Sequence, residues 1–350
     1  MKVALCLALS AAIALPAQAA PGVAERIQGR SFPSVFQAWS GAENMNFGPE
    51  KPAVPLKTTE DELTTVARHD LFWTGLGAWG LGKQKYPGLA LKFPKEEIAR
   101  ALLKRTELLS KNPHMVLLAE IRYHDAKGDY LPEQSPWWKR NPKTGQRDTK
   151  TEGSFTDGVF HLDFSNPEFR DHVAKQCRAA IQTGAVDGCM FDWWSKDTPD
   201  QVALVKKVRS AIGEDGIILV NSNGKMPQQS APYINGLYME GLGASWFGDW
   251  KAARDVMLWA KTHLRQPSFT ALDVWHSTTA QEGRGNLQAM RMATALALVF
   301  SDGYVLYADP NTLPTPDHLH DWYGFWDRRL GKPEGPGEER TDHSFRRLFS

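Results

Sequence analysis

From residue 34 onward the chain repeats one pattern: a short apolar run, then a segment that opens on a cap or a proline and continues with helical periodicity. Eight such runs can be read, at 34–40, 71–76, 115–123, 186–193, 217–221, 236–240, 269–274 and 304–308. Runs such as IILV and MVLLA are apolar at consecutive positions, which a parallel strand covered on both faces requires. Helices are expected between them at 58–69, 94–112, 166–182, 199–212, 250–264, 287–300 and 318–330. Thr58 or Thr59 caps the first, with acids in its first turn, and a proline opens the second. Asn166, Pro167 and Glu168 supply the cap, first position and first-turn acid of the third.

Eight strands alternating with helices predict an α/β fold, a single-domain (β/α)8 TIM barrel of ~250 residues plus a long insertion after the third strand. At 350 residues, length alone would also fit two or three smaller domains. The rival architecture, an open doubly wound sheet, lacks its usual markers: no G-x-G-x-x-G and no G-x-x-x-x-G-K-[ST] follows a strand. GLGAWGLGK at 75–83 leads into Tyr86 and Pro87 rather than into a helix, so it is not read as a phosphate loop.

With 42% hydrophobic residues the chain has ample mass for a core, and disorder is excluded as its main state. Lys plus Arg is 41 against 40 for Asp plus Glu, and loss of Lys2 would leave the two equal. Nothing here steers the protein to nucleic acid or to an anionic membrane. Lys2, an apolar run of 13 residues at 3–15, Pro16 and then Ala17-Gln18-Ala19 read as an export signal cleaved after Ala19. A membrane anchor needs ~20 apolar residues, and no later stretch is long enough either. The mature chain, 20–350, is therefore expected in the periplasm or secreted. Cys6 lies inside the apolar run, too early for lipidation. Cys177 and Cys189, on a helix and the next strand, are either a disulfide or two small buried hydrophobes.

In a barrel of this kind the working residues lie at the carboxyl ends of the strands. The fourth strand ends VDGCMFDWWS, with Asp192 at its tip before Trp193 and Trp194; the sixth ends in Glu240 before a glycine-flanked turn. Gly188, Met190 and Asp192 share one face, as do Tyr238 and Glu240, so two carboxylates converge on one mouth. Cleavage of a glycosidic bond needs such a pair, one protonated and one ionised. Thirteen tryptophans supply flat apolar rings for sugars, among them Trp73, Trp79, Trp193, Trp194, Trp246 and Trp275 at strand ends or in following loops. Asn221, Asn223, Arg122, Asp273 and His276 are candidate polar contacts. Glu120 reads better as the partner of Arg122 in the barrel floor. The insertion at 126–158 carries Trp137 and Trp138 beside Lys139 and Arg140, read either as a cleft rim for outlying sugars or as a solvated loop with one ring tucked under it. His161 with Asp163, or His318 with His320, could supply two metal ligands, but each pair sits beside an expected helix start, so no metal site is expected. No cofactor is implied.

LDFSNPEFRDHV at 162–173 and VDGCMFDWW at 186–194 are similar to segments of the α-galactosidase and α-glucosidase barrels, where D-x-[ST]-N-P opens a helix and D-G-x-x-x-D ends in the nucleophile. The order of M-E-G on the sixth strand, D-x-W on the seventh and a terminal R-x-F resembles more closely a bacterial glycosyl hydrolase-like TIM-barrel family. That resemblance, over roughly 34–350, implies Asp192 as nucleophile or base and Glu240 as general acid. Such barrels commonly carry a further β segment after the eighth helix, so this chain reads as a truncated or minimal member. The expectation is an exported glycoside hydrolase acting on a poly- or oligosaccharide; the alternatives are an inactive glycan-binding barrel and a metal-dependent carbohydrate deacetylase.

Overall fold

The computed structural model describes residues 21–39, 60–151, 156–244, 247–275, 286–308 and 318–350, with the backbone of two short strands at 46–47 and 56–57. The expected export signal, Trp246 and His276 lie outside the described residues.

In chain order the elements are α1 (Val23–Gly29), β1 (Phe36–Ala38), β2 (Asn46–Phe47), β3 (Leu56–Lys57), α2 (Glu62–Val66), β4 (Leu71–Gly75), α3 (Lys95–Lys111) and β5 (Val116–Glu120). Then come β6 (Asp125–Lys127), β7 (Val159–His161), α4 (Pro167–Gln182), β8 (Gly188–Phe191), α5 (Pro199–Ile212), β9 (Ile217–Asn221) and β10 (Gly236–Leu242). The chain finishes with α6 (Trp250–His263), β11 (Phe269–Trp275), α7 (Leu287–Phe300), β12 (Tyr304–Ala308), β13 (Glu338–Glu339) and β14 (Phe345–Arg346).

Eight strands, β1, β4, β5, β8, β9, β10, β11 and β12, pair in parallel in that order. The ring closes where Val305 N–H donates to Ser34 O at 2.9 Å. This is the expected (β/α)8 barrel. Its strands are buried on both faces, with aromatic rings filling the interior: Trp73 stacks on Phe36 at 5.1 Å and meets Tyr238 edge-on at 4.8 Å. Gly188 is required by close approach, since a Cβ there would lie 2.0 Å from Ile217 O.

Local chemistry explains where helices begin. Asn166 Oδ1 accepts from the amides of Glu168 and Phe169, and Thr198 with Gln201 forms a capping box for α5. Three expectations need correction. The helix placed at 58–69 starts at Glu62, because Asp61 rather than a threonine accepts from Thr64 N–H and caps it. The insertion at 126–158, read as a cleft rim or a solvated loop, is tied down by strand pairing: β6 and β7 form an antiparallel hairpin, and bridges Trp138–Leu162, Arg140–Arg147 and Thr149–Phe160 pin its arms.

No helix spans 318–330. All six side chains from His318 to Tyr323 are buried in succession, which a one-faced surface helix cannot do, and His318 takes φ +54°. The segment instead runs irregularly into the barrel. Cys177 and Cys189 are both buried free thiols, and among the described residues no helix is long and apolar enough to cross a membrane.

At the amino end of the strands, Asp187 gathers a buried charge cluster. It pairs with Arg26 of α1, lies 2.7 Å from Arg105 of α3 and accepts Leu117 N–H at 2.9 Å. Asp187→Ala would leave Arg26, 4% exposed, as a buried cation without its carboxylate. Urea unfolding should register a loss of about 3–5 kcal/mol. Lys207→Ala, which breaks an exposed pair with Asp171, should cost under about 1 kcal/mol.

Candidate active site

The site is organised by one amide. Asn221, the last residue of β9 and fully buried, has its Oδ1 occupied by the backbone N–H of Asn223 at 3.2 Å, which turns its Nδ2 into the mouth. Nδ2 donates to Asp192 Oδ1 at 2.8 Å and to Glu240 Oε2 at 2.6 Å, so these two carboxyl oxygens lie at most 5.4 Å apart. Strand tips β8, β9 and β10 are neighbours in the sheet, and their alternation puts all three side chains on the interior face.

Asp192 is half-buried and takes a second hydrogen bond from the backbone N–H of Trp193 at 2.8 Å. Trp193 adopts φ +56°, a conformation that a bulky residue holds only when its surroundings enforce it. The enforcement is visible: its carbonyl accepts from Tyr123 Oη and from Gln201 Nε2, each at 2.8 Å. Burial, then the charges of Glu240 and Glu120, push the Asp192 carboxyl up to about 7, against the opposing pull of Asn221 and Arg122.

Glu240, 14% exposed, turns its other oxygen toward His318, with Oε1 at 3.4 Å from Nε2. His318 Nδ1 faces Asp273 Oδ2 at 3.0 Å, and that same oxygen accepts from Tyr238 Oη at 3.0 Å and Trp275 Nε1 at 2.9 Å. Asp273 and His318 are wholly buried, and Trp39 stacks on the His318 ring at 5.1 Å.

Asp192 also borders a shallow open depression lined by Glu120, Arg122, Tyr123, His124, Asp125 and Trp193. Arg122 Nε sits 3.2 Å from Glu120 and Nη1 3.4 Å from Asp125. Burial works against the Asp125 anion, but His124, Lys150 and Arg122 outweigh it and hold its carboxyl at about 2. The Trp193 ring stacks on His124 at 5.2 Å, with Lys150 Nζ 4.7 Å from its centroid.

The sequence-predicted residues divide accordingly. Asp192, Glu240, Asn221, Asp273, Trp193, Trp275 and Arg122 lie in or directly against this mouth. Trp73, Trp138 and Trp194 are buried core rings with no face open to a ligand, and Trp138 and Trp194 each donate their indole N–H inward, to Pro132 O and Ser230 Oγ. Trp137 packs on His172 and Phe169. Trp73, Trp138 and Trp194 serve packing, because a ring already covered by protein cannot stack on a sugar, whereas Trp137 is only half-buried. Asn223 holds Asn221 through its backbone at φ +47°. His318 and His320 share no ligand geometry: His320 Nε2 meets His69 Nε2 at 2.9 Å. Among the described residues no group of three or more His, Cys, Asp or Glu could hold a metal ion. Trp39, His124, Lys150 and His318 were not read as site residues. Glu120, read as floor, faces Asp192.

No family model matches the chain, and no curated protein matches it in sequence. Solved structures do match in shape. A noncanonic maltogenic α-amylase from Thermotoga neapolitana superposes with TM-score 0.50 at 13% identity, covering 81% of this chain and 72% of that one. Cyclic α-maltosyl-(1→6)-maltose hydrolase from Arthrobacter globiformis, ligand-free, gives 0.51 at 12% identity, covering 86% and 80%. What these structures share with this chain is the TIM-barrel fold.

A carboxyl raised by burial and like charge costs the folded state stability where it must ionise. The unfolded Asp titrates near ~3.9, so the cost is absent below pH 4 and complete above the folded value of about 7. Asp192→Asn should therefore be more stable than wild type at pH 8.5, by up to about 4 kcal/mol, with the gain vanishing at pH 4. Thermal melts at the two pH values check this.

Proposed function

We propose that this protein is an exported glycoside hydrolase that cleaves a poly- or oligosaccharide with Asp192 and Glu240 as its carboxylate pair. The observation that carries the reading is the shared Asn221 bridge. It sets two carboxyls within one glycosidic bond of each other at the carboxyl end of a barrel. Like charges this close do not both ionise readily, so the pair retains a single proton up to about neutral pH. One protonated and one ionised carboxyl is the state such cleavage starts from: a proton for the leaving oxygen and a base or nucleophile for the anomeric centre. Trp193 and Trp275, both half-buried at the mouth, offer the apolar surface that sugar faces need. The likeness to barrels that hydrolyse maltose-based glycans supports the class of chemistry and a carbohydrate substrate. Export follows from the amino-terminal 19 residues as read in the sequence.

An upper bound of 5.4 Å between these oxygens is short of the ~6.5–9.5 Å that leaves room for a water and is compatible with the closer spacing of retaining enzymes, ~5–5.5 Å. We therefore assign a double displacement with retention.

A glycan panel that includes α-linked oligosaccharides, assayed with wild type and variants side by side, tests the reading. On a cleaved glycan, Asp192→Asn and Glu240→Gln should each lower kcat ~10²-fold or more while glycan affinity persists. The wild-type kcat/KM should fall as pH rises through about 7, where the proton is lost. NMR of fresh product should find the substrate's anomeric configuration. A protein that binds glycans but turns none over would overturn the hydrolase reading in favour of a binding barrel.

A further inference from the structure

The Asp192–Glu240 pair is not symmetric, and the asymmetry comes from a residue outside it. Glu240 accepts from Asn221 Nδ2 on Oε2, and His318 Nε2 stands 3.4 Å from its Oε1. Behind His318, Asp273 Oδ2 lies within hydrogen-bond distance of Tyr238 Oη, Trp275 Nε1 and His318 Nδ1, while its Oδ1 is buried without a partner. An imidazole set between two carboxyls and stacked on Trp39 is placed to carry a positive charge.

Asp192 has the opposite surroundings. Both donors it receives, Asn221 and the Trp193 amide, fall on Oδ1, and among the described residues it makes no ion pair. It faces two carboxyls, Glu240 from β10 and Glu120 from β5, while Arg122 is engaged by Glu120 and Asp125. Tyr123 also faces it, from the segment after β5. Tyr238 Oη from β10 also faces the His318 ring.

We infer that His318, held by Asp273, is the positioning residue that keeps Glu240 ionised and so leaves the pair's single proton on Asp192. This rests on the carboxylate-pair reading and reverses the roles implied by the sequence resemblance. Asp192 gives its proton to the glycosidic oxygen as the bond to the anomeric carbon breaks, and a Glu240 oxygen bonds to that carbon. Water then attacks the same carbon, its proton passes to Asp192, and Glu240 leaves as carboxylate.

Protein labelled with ¹³C at the Asp and Glu side-chain carboxyls locates the proton without any substrate. The expected wild-type result is one Asp resonance titrating near neutral pH, missing in Asp192→Asn, with no Glu resonance doing so. In His318→Gln the neutral titration should move to a Glu resonance that disappears on adding Glu240→Gln. Asp273→Asn, which keeps the shape but removes the charge behind His318, should move it the same way, and it carries the test if His318→Gln fails to fold. A neutral titration on Glu240 in wild type, or one that neither variant moves, overturns the inference. Should these titrations appear as expected in a protein that turns over no glycan, it is the hydrolase reading that falls.

Discussion

Everything at the mouth of this barrel depends on the orientation of the Asn221 side chain. An amide has one acceptor end and one donor end, and here the acceptor is fixed by the backbone of Asn223. The donor end then has no choice but to meet both acids, and two carboxyls that would otherwise repel are held against a common N–H. Strand order makes this possible, since β8, β9 and β10 are adjacent and the bridging residue comes from the middle one.

Around that amide the fold supports an electrostatically unfavourable arrangement with rigid parts. Trp193 is kept at a left-handed φ by Tyr123 and Gln201, and the amide so positioned fixes Asp192. His318 also has a left-handed φ, and its ring is held between Trp39, Tyr238 and Asp273. Strain and buried like charge both cost stability, and their meeting at the mouth of the barrel is what a reactive site requires. The opposite end of the barrel shows the contrast: Asp187 meets cations from α1 and α3 and closes that face.

Periodicity and caps carried the architecture. Strand β9 and helices α5 and α7 fall where the pattern places them, because each has an unbroken apolar run or a capped start. Asp192 and Glu240 were readable as strand-tip acids flanked by apolar residues. His318 was not, because its role depends on a long-range return into the mouth that no local pattern encodes. An H-x-H beside Pro316 looked like a helix start, and only the unbroken burial from His318 to Tyr323 explains why it is not. Trp73, Trp138 and Trp194 misled for a related reason: a tryptophan near a strand end is as useful inside the barrel as on its rim, and sequence does not separate the two.

The central claim is that a glycosidic bond is cleaved between the side chains of residues 192 and 240. A crystal structure of Asp192→Asn soaked with an oligosaccharide that the wild type hydrolyses tests it directly. The account predicts the glycosidic oxygen ~3 Å from the residue 192 side chain, with the anomeric carbon turned toward Glu240. A sugar seated elsewhere on the protein, touching neither side chain, would contradict it.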